Sequence, residues 1–192
     1  MEPGRRVPDR RIVAGLRPVR GAVTGAPGAG KSTLLDELAA SGVATGPEVA
    51  RAILQEPGGM ELRESDPTGF AFAMLEAQLA SWERARDGAD MILYDRGFPD
   101  IVGFLRVEGL AVPDEIDCAC REYRYDGPVF HAPAWAAIYR QDAERIQSWR
   151  GALASDEAVV NAWRDYGYDP VRLPLVSPAA RTSFVLDRLP SR

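Results

Sequence analysis

Two periodicities alternate along this chain. Residues 19–24 read as the first strand. Residues 31–40 follow with Leu34, Leu35 and Leu38 on one helical face. A second short strand is expected over residues 43–45, with a helix starting near Glu48. Residues 68–86 repeat Phe72, Leu75, Leu79 and Trp82 at helical spacing after the start signal Asp66-Pro67. Residues 91–94 form a continuous apolar run of the kind a strand buried on both faces requires. Further strands are expected over residues 128–131 and 171–176, the last near a sheet edge because Pro174 cannot donate to a ladder. Helices are expected over residues 138–150, 156–166 and 178–189. Alternation of this kind specifies an α/β domain with a mainly parallel, five-stranded sheet.

At 192 residues the chain has room for one domain with a full core. Residues 1–16, rich in Arg, Pro and Gly, show no apolar period and are expected to form a mobile basic tail, with the folded unit over residues 17–192. The net charge of -5 argues against general nucleic-acid binding, which draws on clustered basic residues. No apolar run is long enough to span a bilayer and no secretory signal is visible, so a cytoplasmic location is expected. Cys118 and Cys120, with no third ligand near them, read as reduced structural residues.

One detail of composition carries more than the totals. Lys31 is the only lysine, against 22 arginines, and it stands in the run Gly25-Ala26-Pro27-Gly28-Ala29-Gly30-Lys31-Ser32. This run is a complete phosphate-binding loop, placed after an apolar strand and before an amphipathic helix, as its mechanism requires. Backbone N–H groups of Gly25 to Gly30 would wrap a β-phosphate, and the helix N-terminus adds partial positive charge. Lys31 would span the β- and γ-phosphates, Ser32 would ligate Mg2+, and Thr33 would lie near the α-phosphate. A compact ammonium fits that loop where a planar guanidinium does not. ATP and Mg2+ are thus the expected ligands.

Other positions can complete such a site. Asp95, directly after the third strand, is placed to reach the metal, and Arg96 beside it to hold a phosphate or substrate group. Glu48 follows the second strand and falls at the carboxyl edge of the sheet, where open α/β sheets put their ligands. A carboxylate there can take a proton from an attacking hydroxyl, with Arg51 one turn on to orient it. A glutamate in a first helical turn is also favoured by the helix dipole alone, and position does not separate the two. Arg140, Asp142 and Arg145 lie between the fourth and fifth strands, with Trp135, Tyr139 and Trp149. They read either as a solvated face or as arginines closing over a transferring phosphoryl group. His131, the single histidine, reads first as a hydrogen-bonded structural residue.

Taken together, Thr24-Gly25 through Leu35, Pro47-Glu48-Val49-Ala50-Arg51, Tyr94-Asp95-Arg96-Gly97-Phe98-Pro99-Asp100, Pro133-Ala134-Trp135, Tyr139 to Arg145 and Tyr166-Gly167-Tyr168 resemble a P-loop kinase-like family. That family is often labelled small AAA-type ATPase. It is similar to the nicotinamide riboside kinase half of bifunctional regulators and, more distantly, to nucleoside and thymidylate kinases. The resemblance implies a three-layer P-loop NTPase fold with a helical lid segment over about residues 134–155. It implies catalytic roles for Lys31, Glu48, Asp95, Arg96, Arg140 and Arg145, metal ligation by Ser32 and Asp95, and residues 177–181 beside the adenine. The expected activity is ATP- and Mg2+-dependent phosphoryl transfer to a small, nucleoside-like acceptor. The rival reading is a nucleotide-dependent regulatory ATPase acting on a protein partner, to which the basic tail could dock.

Overall fold

The computed structural model describes residues 17–84, 89–139 and 148–190. Five strands, β1 (Val19–Gly25), β2 (Ala44–Gly46), β3 (Met91–Asp95), β4 (Val129–Ala132) and β5 (Val171–Arg172), form one sheet in the order β2-β3-β1-β4-β5. Every pair is parallel. Parallel strands need helical crossovers that cover both faces, and this explains why β1, β3 and β4 are apolar at nearly every position.

One face carries α1 (Lys31–Ala40) and α8 (Pro178–Leu186), with Leu34, Leu35, Leu38 and Val185 against Val23, Leu93 and Phe130. The other carries α4 (Pro67–Glu83), α5 (Phe98–Val107) and α7 (Trp149–Asp165). Its core is aromatic: Trp82, Tyr94, Phe98, Tyr125 and Trp163 meet in stacked, edge and tilted contacts with centroids 5.1–6.2 Å apart. Three shorter helices, α2 (Val49–Gln55), α3 (Gly59–Ser65) and α6 (Asp114–Glu122), complete the layer.

The expected strands are all present, with β2 and β4 each shifted one residue toward the C-terminus. The fifth differs: it is paired only at Val171–Arg172, because the chain turns away before Pro174. Of the helix expected over residues 138–150, residues 140–147 lie outside the described residues, and Ile138 lies in a turn. The helix expected over residues 156–166 begins earlier, as α7 at Trp149, where the Ser148 side chain caps it by accepting from Gly151 N at 3.2 Å. Helices α3, α5 and α6 had no counterpart in the sequence reading. Cys118 and Cys120 are unbridged. The proposed tail at 1–16 lies outside the described residues, as do Arg140, Asp142 and Arg145.

Candidate active site

The loop between β1 and α1 is set by two glycines that no other residue could replace without strain. Gly25 has φ 122°, and a Cβ there would stand 2.1 Å from the Ala132 carbonyl oxygen on β4. Gly30, at φ 79°, is the N-cap of α1 and has no side chain to cap it, so the first N–H groups of the helix stay free for an anion. Lys31 is buried and folds back over the loop, donating to Ala26 O at 2.8 Å and Gly25 O at 3.4 Å. Burial, assisted by the charge of Arg96, lowers its pKa to about 8 against the pull of Asp95, Glu48 and Asp100. Ser32 and Thr33 are exposed to the cleft at the head of α1.

Opposite the loop, Arg96 follows β3 in the left-handed region, φ 69°, the only non-glycine with positive φ among the described residues. Such a conformation costs about 1–3 kcal/mol and persists only where its surroundings hold it. Here the hold is explicit. The Arg96 guanidinium donates to Glu48 Oε1 at 3.3 Å, Gly25 O at 3.1 Å and Asp100 Oδ1 at 3.0 Å. Burial opposes that charge, but Asp100, Glu48 and Asp95 together outweigh it and raise the pKa of Arg96. Glu48 shows the mirror image: burial works against its charge, while Arg96 and Lys31 hold its carboxyl below the usual range. Glu48 is the N-cap of α2 but makes no capping hydrogen bond; its carboxylate faces Arg96 instead. Position at a helix start therefore does not account for it.

Asp95 sits beside Val23 of β1, 4% exposed, and its Oδ1 has no hydrogen-bond partner. Burial raises its pKa to about 6, the loss being only partly offset by Lys31. An orphaned buried carboxylate oxygen at the end of a central strand fits a cation brought in with the nucleotide. Among the described residues no group of three or more His, Cys, Asp and Glu could hold a metal by itself. A Mg2+ ion here would accordingly share its ligands between Ser32, Asp95 and the phosphates.

Asp100, in the first turn of α5, went unassigned in the sequence reading and is the hub of the site. It accepts from Thr24 Oγ1 at 2.7 Å and Arg96 Nη1 at 3.0 Å through Oδ1, and from Gly97 N at 3.0 Å and Trp163 Nε1 at 2.9 Å through Oδ2. One buried carboxylate thus ties β1, the turn after β3, α5 and α7 together. The i, i+4 spacing to Arg96 was the available signal, but two of the four partners, Thr24 and Trp163, are remote in sequence.

A cleft of about 500 Å3 runs from Gly28, Gly30 and Lys31 past Glu48, Arg51 and Arg96 into a space between α2, α4 and α5. Its inner end is lined by Leu54, Phe70, Met74, Ile101 and Phe104, with Gln78 as a buried amide that donates to Tyr125 Oη at 3.3 Å. The outer end passes Trp135, Ile138, Val176 and Pro178. Residues 177–181 are the cap and first turns of α8, and Arg181 is 2% exposed, bracing the loop through Ala29 O at 2.7 Å. His131 at the end of β4 is hydrogen-bonded to Asp156 of α7 at 2.8 Å, and Asp156 also accepts from Ala134 N at 3.1 Å. The structural reading of that histidine matches its geometry.

A parallel sheet in this order, with a glycine loop wrapping the head of α1, defines a P-loop NTPase fold. The chain belongs to the AAA-domain family, whose model matches residues 20–181. No match was found among curated protein sequences. The fold is shared with deoxyadenosine kinase from M. mycoides, solved with products dCMP and a flexible dCDP (TM-score 0.66, 17% identity, 88% of this chain and 97% of that one). It is shared too with thymidylate kinase from Candida albicans (TM-score 0.65, 10% identity, 89% and 90%). A third similar structure is the NadR protein in complex with NR (TM-score 0.59, 15% identity), which this chain covers to 51% while being covered to 92% itself.

Proposed function

We propose that this protein is a kinase that moves the γ-phosphoryl group of ATP, as its Mg2+ complex, onto a hydroxyl of a small nucleoside-like molecule. The observation that carries this reading is the continuity of the cleft: the phosphate loop opens, across Glu48 and Arg96, into a largely apolar recess between α2, α4 and α5 with room for a second small molecule. A switch or motor needs no such chamber. The deoxyadenosine kinase that shares the fold was solved with two products, dCMP and dCDP, bound, and this supports the reading.

In this mechanism the free N–H groups at the head of α1 and the Lys31 ammonium hold the β- and γ-phosphates. Lys31 exchanges its bonds to Ala26 O and Gly25 O for phosphate oxygens. Mg2+, when bound, would neutralise charge on the β- and γ-oxygens, with Ser32 and Asp95 as its protein ligands. Glu48, ionised and aimed by Arg96, accepts the proton of the attacking hydroxyl. Arg96 stabilises the equatorial oxygens in flight. Arg140 and Arg145 retain their proposed place in a lid over the phosphates. We assign the catalytic unit to residues 17–192 and its work to the cytoplasm.

Production of ADP with a panel of nucleosides, vitamins and amino-alcohols tests the reading. Acceptor-dependent ADP formation is expected. A slow rate that no acceptor changes would favour the rival regulatory ATPase instead.

A further inference from the structure

The acceptor end of the cleft has an internal direction that the packing of α4 and α5 defines. Gln78 of α4 bonds Tyr125 Oη, and a Cβ on Gly97 of α5 would meet that same oxygen at 2.6 Å, so these two residues mark the end nearest Arg96. Phe70 of α4 and Phe104 of α5 touch edge-to-face at 5.4 Å and mark the opposite end. From Gly97 to Phe104 is seven residues of helix, or about 10 Å at the rise per residue of an α-helix. This is the length of a nucleoside rather than of a glycerol or a simple amino-alcohol.

One charged side chain stands at that far end. Arg63 of α3 lines the cleft with its guanidinium 5.9 Å from the Phe104 ring centre, and its side chain is 15% exposed. Its ion-pair partner, Glu108, is 3.6 Å away, beyond hydrogen-bonding distance, and is not part of the cleft lining. The other charged groups lining this half of the cleft, Glu48, Arg51, Arg96 and Asp100, lie at the transfer end or at the first turns of α2 and α5. A guanidinium only donates hydrogen bonds and does not lose its charge. Beside the Phe104 ring it favours a base that presents an oxygen acceptor and opposes one that presents an amino group, which would set donor against donor.

We propose that Arg63 determines acceptor specificity by reading a carbonyl oxygen on the far edge of the acceptor's base, so that oxo bases are selected over their amino counterparts. The inference rests on the kinase reading of the same cleft. A guanidinium–carbonyl hydrogen bond of this kind changes affinity by about tenfold or more.

The test uses the full chain with Mg-ATP and two matched pairs, uridine against cytidine and inosine against adenosine, each pair differing in the oxo or amino group and in the proton on the ring nitrogen beside it. Binding constants from calorimetry and KM values are expected to favour the oxo member of each pair by tenfold or more. Arg63→Met should bring the two members of each pair together. Glu108→Gln, which removes the ion pair but keeps the guanidinium, should preserve the preference; an Arg63 that served only the ion pair would make both variants behave alike. Equal use of both members, a preference for the amino member, or a ratio untouched by Arg63→Met would overturn the role of Arg63 and leave the kinase reading standing. Failure of every nucleoside both to bind and to accept phosphate would overturn the nucleoside reading and this inference with it.

Discussion

Replacing Asp100 by alanine removes an acceptor from four donors at once: Thr24 Oγ1, Arg96 Nη1, Gly97 N and Trp163 Nε1. Breaking a buried ion pair by removing one partner costs about 3–5 kcal/mol, and each buried donor left unsatisfied costs about 1–3 kcal/mol. These terms overlap, and Arg96 keeps Glu48 and Gly25 O as partners, so the lower part of the first range applies to the pair itself. Adding about 1 kcal/mol each for the stranded indole and backbone N–H to about 3 kcal/mol for the pair gives a loss of about 5 kcal/mol, a large part of the roughly 5–15 kcal/mol that holds a domain folded. In urea, with a slope of about 2 kcal/mol/M, the unfolding midpoint should fall by about 2.5 M. Asp100→Asn keeps the shape and one acceptor oxygen but turns an amide NH2 toward two of the donors, and should lose about half as much. A midpoint shift under about 0.5 M for Asp100→Ala would show that the four bonds are not jointly supporting the fold, and the hub assignment would fail.

The remaining predictions concern the reacting groups. Lys31 has its folded pKa lowered to about 8 from an ordinary 10.5, so between those values the unfolded chain binds more protons and stability rises with pH. Urea titrations of wild type minus Lys31→Met should show that rise between pH 8 and 10.5; a flat difference would contradict the buried ammonium. Asp95 has its pKa raised to about 6 from 3.8, so burying its charge costs stability that is absent at low pH and grows as pH passes from 3.8 to 6. Asp95→Asn should therefore match or exceed wild-type stability at pH 7 while losing Mg2+-dependent nucleotide binding, and wild-type Mg2+ dependence should weaken below about pH 6. Glu48→Gln should lower transfer by about 10²–10⁴ while retaining ATP affinity, as measured by steady-state rates and calorimetry. Equal losses in both quantities would assign Glu48 to donor binding instead.

The donor half of this site was legible because its chemistry is local. Eight consecutive residues, Gly25 to Ser32, carry the glycines, the ammonium and the hydroxyl, between a strand and an amphipathic helix. Asp95-Arg96 and Glu48 could be placed because a parallel sheet puts the ends of β1, β2 and β3 on one edge. The acceptor half was hidden for a physical reason. Helix α5 reads Phe-Pro-Asp-Ile-Val-Gly-Phe-Leu-Arg-Val, and seven of its residues from Phe98 to Leu105 are buried, so it lacks the polar face by which a helix announces its period. Its Asp100 acts through Thr24 and Trp163, which are 76 and 63 residues away. The cleft itself belongs to the packing of α2, α4 and α5 and to none of them singly.

The account stands most directly on where the γ-phosphoryl group goes. With γ-labelled ATP, Mg2+ and the nucleoside that most stimulates ADP formation, the label should appear on a hydroxyl of that nucleoside. Lys31→Met should abolish its appearance and Glu48→Gln should slow it by about 10²–10⁴, each while leaving the chain folded. Label recovered only as inorganic phosphate, at a rate indifferent to the acceptor and to Glu48→Gln, would contradict phosphoryl transfer as the function of this cleft.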